Sequence, residues 1–423
     1  VQPPDGNHLE ESGGDGGMKW EKVKLGELYE VHNGLSKAGK FFGEGYPFLT
    51  FSTVFNNYFI PKQITDLVQS TEKEQESYSI RRGDVFVTRT SETSDELGMS
   101  CVALKDYPMA TYNGFTKRMR PITNRVFPEY IGYYMRLPSF RGEFRAFSTM
   151  TTRASLRNED LLGLEVKLPS IEIQKQIADI LLAYDDLIEN NQKQIKLLEE
   201  AAQRLYKEWF VDLRFPGHEN TKIVDGVPEG WRVASIADIC DTVGGGTPST
   251  KIQSYYEKGD ILWVTPTDIT RNFSLALLDT EKKITPEGLK NSSANMLPAE
   301  TILMTSRASV GFFGMCKYEV CTNQGFISCI PKRENLQMYL LFNLKSRVEE
   351  IRQKAGGSTY LEISKTVFRE LKIILPKDEV LAEYQKNVHD IFDEIYCRTE
   401  MIKSLVDMRN RLLPKLMSGE VEV

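Results

Sequence analysis

Apolar residues recur every three or four positions over two long stretches of this chain. Ile173, Ile177, Ile180, Tyr184, Leu187, Asn191, Ile195, Leu198, Ala202, Leu205 and Trp209 form the first, with Asn191 its polar member. This is the spacing of one face of an α-helix about 40 residues long. Pro169 and Ser170 suit its entry, and Pro216-Gly217 lies past its end. Tyr384, Val388, Ile391, Ile395, Ile402, Leu405, Leu412 and Leu416 repeat the plan, with Pro376 before them and Gly419 after. At 1.5 Å rise per residue each helix reaches roughly 60 Å. A long helix with a single apolar stripe needs a partner, and each of these can serve the other as an antiparallel two-helix coiled coil with one globular unit at each end, rather than as a linker or a dimerisation coil. The seam is expected to hold Ile177, Ile180, Tyr184, Leu187, Asn191, Leu198 and Leu205 of the first helix. From the second it takes Val388, Ile391, Ile395, Ile402, Leu405 and Leu412. Asn191 either fixes the register of that seam at some cost in stability or faces water where the stripe shifts phase.

Outside the two stripes the pattern shortens. Val85–Thr88 and Ile302–Thr305 are apolar runs behind an acidic turn, and Phe48–Phe51 and Ile261–Val264 are a second matched pair. Runs of this length bounded by Gly, Pro and Asp predict buried or half-buried strands. Shorter helices are expected over Glu129–Leu137 and Leu336–Lys354.

These matches belong to a larger one, because the chain is written twice. Trp20, Asn113-Gly114-Phe115, a Ser/Thr-rich stretch near Thr151, Leu168-Pro169 and the first long helix appear in order. Trp231, Asn323-Gln324-Gly325-Phe326, Ser358-Thr359, Leu375-Pro376 and the second long helix follow in the same order. A repeat this large predicts an α+β protein of two similar mixed α/β domains related by pseudo-two-fold symmetry. The expected division is 1–17 as an added remnant or disordered leader, 18–168 and 225–375 as the two domains, and 169–214 and 377–418 as the two spacer helices. A protein with two matching heads usually binds something with two matching parts.

At 423 residues, 41% hydrophobic and 26% charged, the chain is long enough for two ordinary cores and a scaffold. No apolar run approaches the roughly 20 residues that span a bilayer, and there is no secretory leader. Six cysteines in so long a chain make no disulfide framework, which fits a reducing cytoplasm. The net charge is −6, of which residues 1–17 supply −4. Near-neutrality leaves room only for local basic patches. Between Phe115 and Arg157, nine basic residues (Lys117, Arg118, Arg120, Arg125, Arg136, Arg141, Arg145, Arg153 and Arg157) face two acidic ones, Glu129 and Glu143. That surplus either neutralises phosphates or is a solvated basic face.

Each predicted strand after the acidic turn leads into a polar loop with an arginine: Arg89-Thr90-Ser91 in one repeat, Ser306-Arg307 in the other. Arginine bonds a guanine edge bidentately, and hydroxyls are adaptable donors and acceptors. Such loops either read DNA or hold a capping, salt-bridging arginine. The candidate DNA contacts are these five residues with Lys117, Arg118, Arg120, Thr152, Arg153, Lys251, Asn323, Gln324 and Thr359. Catalytic signatures are missing. There is no Asn/Asp-Pro-Pro-aromatic loop, and Gly244-Gly245-Gly246 lacks a P-loop lysine and reads as a turn. Asp260 with Glu281-Lys282-Lys283 is the nearest approach to a metal-dependent nuclease. It has no equivalent in the first repeat. The histidines show no metal-ligand spacing, Cys316 and Cys321 read as buried thiols, and neither a catalytic site nor a metal site is expected.

From position 18 onward the chain resembles the specificity subunit of type I restriction–modification systems. The strings that carry the likeness are Gly245-Gly246-Thr247-Pro248-Ser249 and Gly259-Asp260-Ile261-Leu262-Trp263-Val264-Thr265-Pro266-Thr267-Asp268-Ile269. Leu168-Pro169 with Ile173-Gln174-Lys175-Gln176-Ile177, and Phe210-Val211-Asp212-Leu213-Arg214-Phe215-Pro216, extend it. The first repeat departs from it with Asn33-Gly34-Leu35-Ser36. The resemblance implies two target-recognition domains, each reading one half of a split, asymmetric DNA sequence, with the helices setting the gap. It implies a non-catalytic chain that binds no cofactor itself and docks two modification subunits, which bind S-adenosylmethionine and methylate adenine N6. Two restriction subunits using ATP and Mg would complete the assembly in a bacterial or archaeal cytoplasm. The rivals are a stand-alone restriction or modification enzyme and a coiled-coil interaction protein without a DNA role.

Overall fold

The computed structural model describes residues 20–91, 96–146, 154–357 and 360–423. The chain divides into two units, Val1–Asp185 with Asp407–Val423, and Asp186–Val406, so each unit holds a stretch of both long helices.

The first unit is built on a four-stranded antiparallel sheet in the order Tyr29–Asn33, Thr116–Pro121, Val85–Thr88, Ser100–Val102. A smaller sheet orders Leu67–Val68, Phe42–Leu49 and Thr111–Tyr112, the last two strands parallel. Glu21–Lys24 pairs with Glu165–Leu168, which clips the start of the unit to the strand that feeds the first long helix. The expected strand Phe48–Phe51 ends at Leu49, because Thr50 accepts a hydrogen bond from the Thr53 amide at 3.3 Å and caps a helix over Phe51–Asn56. The helix expected over 129–137 is found over Pro128–Tyr134, and a second, Pro138–Ala146, follows it, since Pro138 cannot continue the first. Val85, Val87, Met119, Tyr130, Ile131 and Tyr133 are fully buried in the core.

The second unit repeats this strand for strand. Cys240–Val243, Phe326–Pro331, Ile302–Thr305 and Phe313–Gly314 form its larger sheet. Lys283–Ile284, Ile261–Val264 and Cys321–Thr322 form the smaller one, again with one parallel pair. Arg232–Ser235 with Lys372–Leu375 is the clip. The helix expected over 336–354 breaks at Arg347 into Gln337–Ser346 and Val348–Gln353. There the guanidinium is drawn to Glu350 at 2.7 Å and to the Lys372 carbonyl at 2.7 Å. Cys316 and Cys321 are buried thiols, and burial pushes Cys321 up to about 12.

The long helices run over Ile171–Tyr206 and Asp378–Ser418. The first ends in a π-turn over Lys207–Val211, which turns Trp209 into the core against Tyr384. Within the first unit, Ile177, Ala178 and Leu181 share a core with Leu413, Leu416 and Met417. There Asp185 accepts from Tyr133 Oη at 2.5 Å and pairs with Arg409. Within the second unit the helices are antiparallel: Asn191 meets Arg398 at 3.1 Å, and Tyr384 meets the Ala202 carbonyl at 3.5 Å. Asn191 is 4% exposed, so it occupies the seam. Ile195, Val388, Ile395 and Ile402 are buried, while Ile180, Tyr184, Leu198, Leu205, Ile391, Leu405 and Leu412 are partly buried. One seam position needs correction. Leu187 is 50% exposed, and Ile188 takes its place at 9%. A step of four from Tyr184 and three to Asn191 keeps the stripe on the core. No helix among the described residues is long and apolar enough to cross a membrane.

Candidate nucleic-acid interface

The polar loops beyond the larger sheet converge on one rim in each unit. Hydrogen bonds fix how the two rims correspond. Thr88 Oγ1 accepts from the Met99 amide at 2.9 Å, and its carbonyl accepts from Gly98, a left-handed glycine at φ +69°. Thr305 Oγ1 accepts from the Phe312 amide at 2.9 Å, and its carbonyl from Gly311 at φ +87°. The two threonines are therefore equivalent. The first loop takes eleven steps from Thr88 to Met99 where the second takes seven from Thr305 to Phe312, so it is four residues longer.

One residue on, the Arg89 amide donates to Phe115 O and its carbonyl accepts from Leu156 N. The Ser306 amide donates to Gly325 O and its carbonyl accepts from Ile363 N. Arg89 is thus the counterpart of Ser306, and Arg307 is the counterpart of Thr90. Both expected loops carry their arginine, but the two arginines sit one position apart, and neighbouring residues of an extended segment point to opposite sides. Arg89 turns to Asn33, donating from Nη1 at 3.2 Å. Ser306 is 3% exposed. Arg307 projects from the rim with its side chain 47% exposed. Thr90 and Ser91 form a short strand against Ala154 and Ser155.

Three of the candidate cations lie inside the fold. Lys117 and Arg118 are 5% and 3% exposed on the central strand. Lys117 donates to Asn158 Oδ1, and burial, then the Arg89 guanidinium, lower its pKa. Arg118 donates to the Ser79 carbonyl at 2.9 Å and lies over the Tyr112 ring. Arg120 grips Asp84 with two hydrogen bonds, 2.8 Å from Nε and 2.6 Å from Nη2. Asp84 is fully buried. The strand pairings put Ile327, Ser328 and Ile330 at the equivalent places in the second unit, with Thr301 opposite as the counterpart of Asp84. Lys117, Arg118 and Arg120 are therefore corrected from phosphate contacts to members of the sheet's polar interior. Other members of the basic stretch also turn inward. Arg136 donates to the carbonyls of Ser100, Val54 and Asn57, and Arg141 to that of Leu97. Arg125 and Arg157 pair with Glu21 and Asp160. These last two stay at the surface, their side chains 43% and 73% exposed, so only part of the surplus is drawn inward.

Asn323 is also structural. Its side-chain oxygen accepts from Gly325 N at 2.8 Å, as Asn113 accepts from Phe115 N at 2.6 Å. These matched Asx-turns aim the loop tips. At the tips, Gln324 is exposed and accepts from Thr247 Oγ1 at 2.5 Å, whereas its counterpart is Gly114. Lys251 is exposed on the neighbouring loop. Thr152, Arg153 and Thr359 lie outside the described residues. The sequence reading missed Thr247, Tyr360, Glu362 and Lys365. Lys365 covers Gly244, where an added Cβ would lie 2.3 Å from its Nζ. In the first unit the corresponding cluster is Asn33, Arg89, Lys117 and Asn158. The Ser364 cap, which holds the Val367 amide at 3.3 Å, was the available signal for Lys365.

The residues of the nuclease-like constellation do not line one common cavity. Glu281, Lys282 and Lys283 line a cavity of about 430 Å³ with Trp263 and Tyr256, and Asp260 is not part of its wall. One cluster with metal-ligand chemistry occurs among the described residues, Glu300, His389 and Asp393, with ligand atoms within 4.8 Å of one another. Its members already pair: His389 Nε2 with Glu300 at 3.1 Å, Nδ1 with Asp393 at 3.3 Å, and Asp393 with Lys317 at 2.5 Å. The helical i, i+4 spacing of His389 and Asp393 was legible in the sequence and was missed.

The family model described as type I restriction modification DNA specificity domain matches this chain twice, over residues 18–200 and 228–406. The chain belongs to that family. The specificity subunits of this family are non-catalytic, DNA-recognising members of type I systems. The MjaIX specificity subunit of Methanocaldococcus jannaschii is 38% identical over 40% of this chain and 39% of that relative. The HindI specificity subunit of Haemophilus influenzae is 24% identical over 95% of this chain and 99% of its own. A crystal structure of the type I restriction–modification S subunit from M. genitalium superposes with a TM-score of 0.57 at 16% identity. It covers 95% of this chain and 97% of that one, so the two share a fold over that length. Both family matches begin on a domain and run into a long helix, which is the repeat seen in the sequence.

Proposed function

We propose that the two units read two different halves of one split DNA sequence, and that the two long helices set the gap between the halves. The observation that carries this is a conserved frame with exchanged tips. Equivalent hydrogen bonds hold both rims, yet Arg89, Thr90 and Gly114 of the first stand where Ser306, Arg307 and Gln324 stand in the second. Phosphate contacts position such a head, and base-edge contacts specify the sequence. Different tips on one frame therefore favour different half-sites, and an asymmetric target follows.

In this proposal the chain docks two modification subunits, which carry S-adenosylmethionine and methylate adenine N6, and two restriction subunits, which bring ATP and Mg. The site of action is the cytoplasm of a bacterial or archaeal cell. Neither rival gains support, since Asp260 does not line the cavity of Glu281, Lys282 and Lys283 and the family model is one of DNA specificity. The test is a gel-shift titration with the modification subunits present. Duplexes carrying the split site should bind tightly with a steep salt dependence, and scrambling either half should remove binding. Equal binding to unrelated duplexes would overturn the proposal.

A further inference from the structure

We infer that Arg307 and Glu362 act together as one base-pair reader in the second unit, complementary to a guanine–cytosine pair. The inference rests on the assignment of the rim as a DNA face and goes on to name its chemistry.

The two residues are directly opposed on an antiparallel rung. The backbone on both sides of the rung is fixed: Ala308 N donates to Leu361 O at 2.8 Å and Ile363 N to Ser306 O at 3.0 Å. Glu362 exchanges two further hydrogen bonds with Gly356, at 2.9 and 3.0 Å. Ala308 is held at φ +60°, a left-handed conformation that a residue with a Cβ keeps only where its surroundings enforce it. The attachment of Arg307 is thus rigid while its side chain is open to solvent.

The side chains are unsatisfied in the way a reader needs. Arg307 Nε lies 3.8 Å from Glu362 Oε2, beyond hydrogen-bond distance, with the two side chains 47% and 49% exposed. Among the described residues the Arg307 guanidinium makes no hydrogen bond. Arg369, by contrast, is tied to Thr242 at 2.5 and 3.0 Å. The exposed Tyr360 ring lies 5.9 Å from the Arg307 guanidinium and limits its swing. The pair therefore offers a donor fork beside an acceptor. Guanine presents O6 and N7 to such a fork, and its cytosine partner presents the N4 amino group to a carboxylate. Against phosphates the same pair is nearly neutral, so it adds little attraction for unrelated sequence. The first unit has Thr90 at this place, so one half-site alone is affected.

The experiment uses the full chain assembled with its modification subunits, a pool of randomised duplexes, and sequencing of the bound fraction. Wild type should select a guanine–cytosine pair at one position of one half-site. Arg307→Ala and Arg307→Lys should both lose about 5- to 150-fold discrimination there, the range for one bidentate contact. The lysine variant should keep the salt dependence of wild type, because it keeps the charge but loses the fork. Glu362→Gln should weaken the same position and raise affinity for unrelated duplexes. An unchanged motif in Arg307→Ala, a relaxed position that is not guanine–cytosine, or a change in the other half-site would overturn the inference and leave the DNA-reading proposal standing. A wild-type complex with no sequence preference would overturn that proposal itself.

Discussion

Replacing Arg120 by isoleucine asks whether this arginine holds the fold or holds DNA. Asp84 is fully buried, and among the described residues Arg120 is its only cationic side-chain partner, through hydrogen bonds of 2.8 and 2.6 Å. Removing one member of a buried pair strands the other, at about 3–5 kcal/mol. The second unit supplies a natural control, because Thr301 and Ile330 occupy the same two positions in the same sheet. Asp84→Thr/Arg120→Ile should recover most of the loss, within about 2 kcal/mol of wild type, as replacement of a buried pair by well-packed neutral residues usually does. One local difference limits the recovery. The Arg81 amide donates to Asp84 at 2.7 Å, whereas Pro298 at the equivalent place has no amide hydrogen, so the new threonine hydroxyl must accept from Arg81. Differential scanning calorimetry of the full chain is the assay, since two units need not unfold together. For a unit of about 200 residues each kcal/mol moves Tm by roughly 2–4 °C, so Arg120→Ile should lower the first unit's transition by about 6–20 °C, leave the second in place, and lose most of that shift in the double variant. A fall of under about 2 °C, or a double variant no better than the single, would refute the buried-pair account. DNA titrations supply the converse check: a phosphate ligand contributes about 0.9 to the salt slope, and the double variant should show the wild-type slope.

Gly114→Ala should destabilise the first rim, because the new Cβ would lie 2.2 Å from Ser36 Oγ. Adding Ser36→Ala should restore much of it, read by half-site binding and Tm. Alkaline titration should weaken the fold from about pH 9 upward, because burial pushes the Cys101 and Cys321 thiols and the Tyr107 and Tyr112 phenols up to about 12. These groups stay neutral in the fold but ionise earlier when unfolded. Their stabilisation is therefore complete below the unfolded pKa values, near 8.5 for Cys and 10 for Tyr, and is lost as pH rises toward 12. A urea midpoint that holds constant from pH 8 to pH 11 would contradict this. Inserting four residues into each long helix adds about 6 Å of helix, fewer than two base-pair steps of about 3.4 Å. The preferred gap in the DNA site should lengthen by one to two base pairs with both half-sites unchanged, as read by sequencing selected duplexes.

The repeat, the two long helices and the strands behind each acidic turn were legible because they are written in spacing. Steps of three and four specify a helix face, and short apolar runs between turn residues specify strands. Spacing is weakest where two phases fit equally well, which is why Leu187 and Ile188 could be told apart only by packing. Thr50 marks a second limit, since a hydroxyl three residues before an amide ends a strand that apolar content alone would extend.

The rim was less legible, and the reason is general to residues that carry charge. A cation's role depends on what lies opposite it, and that is set by pairings far apart in sequence. Arg120 and Arg307 are both arginines beside apolar strands, yet one faces Asp84 inside a sheet and the other faces Glu362 at an open edge. The +7 surplus between 115 and 157 was misleading for the same reason: six of its nine members find carbonyls, carboxylates or rings within the first unit. The position of the two loop arginines is a separate matter. Both loops carry an arginine, yet the backbone aligns Arg89 with Ser306, not with Arg307, through the hydrogen bonds that each rim must make. A frame defined by main-chain bonds leaves its side chains free to differ, so letter matching is least reliable at the tips, where two heads that read different sequences must diverge.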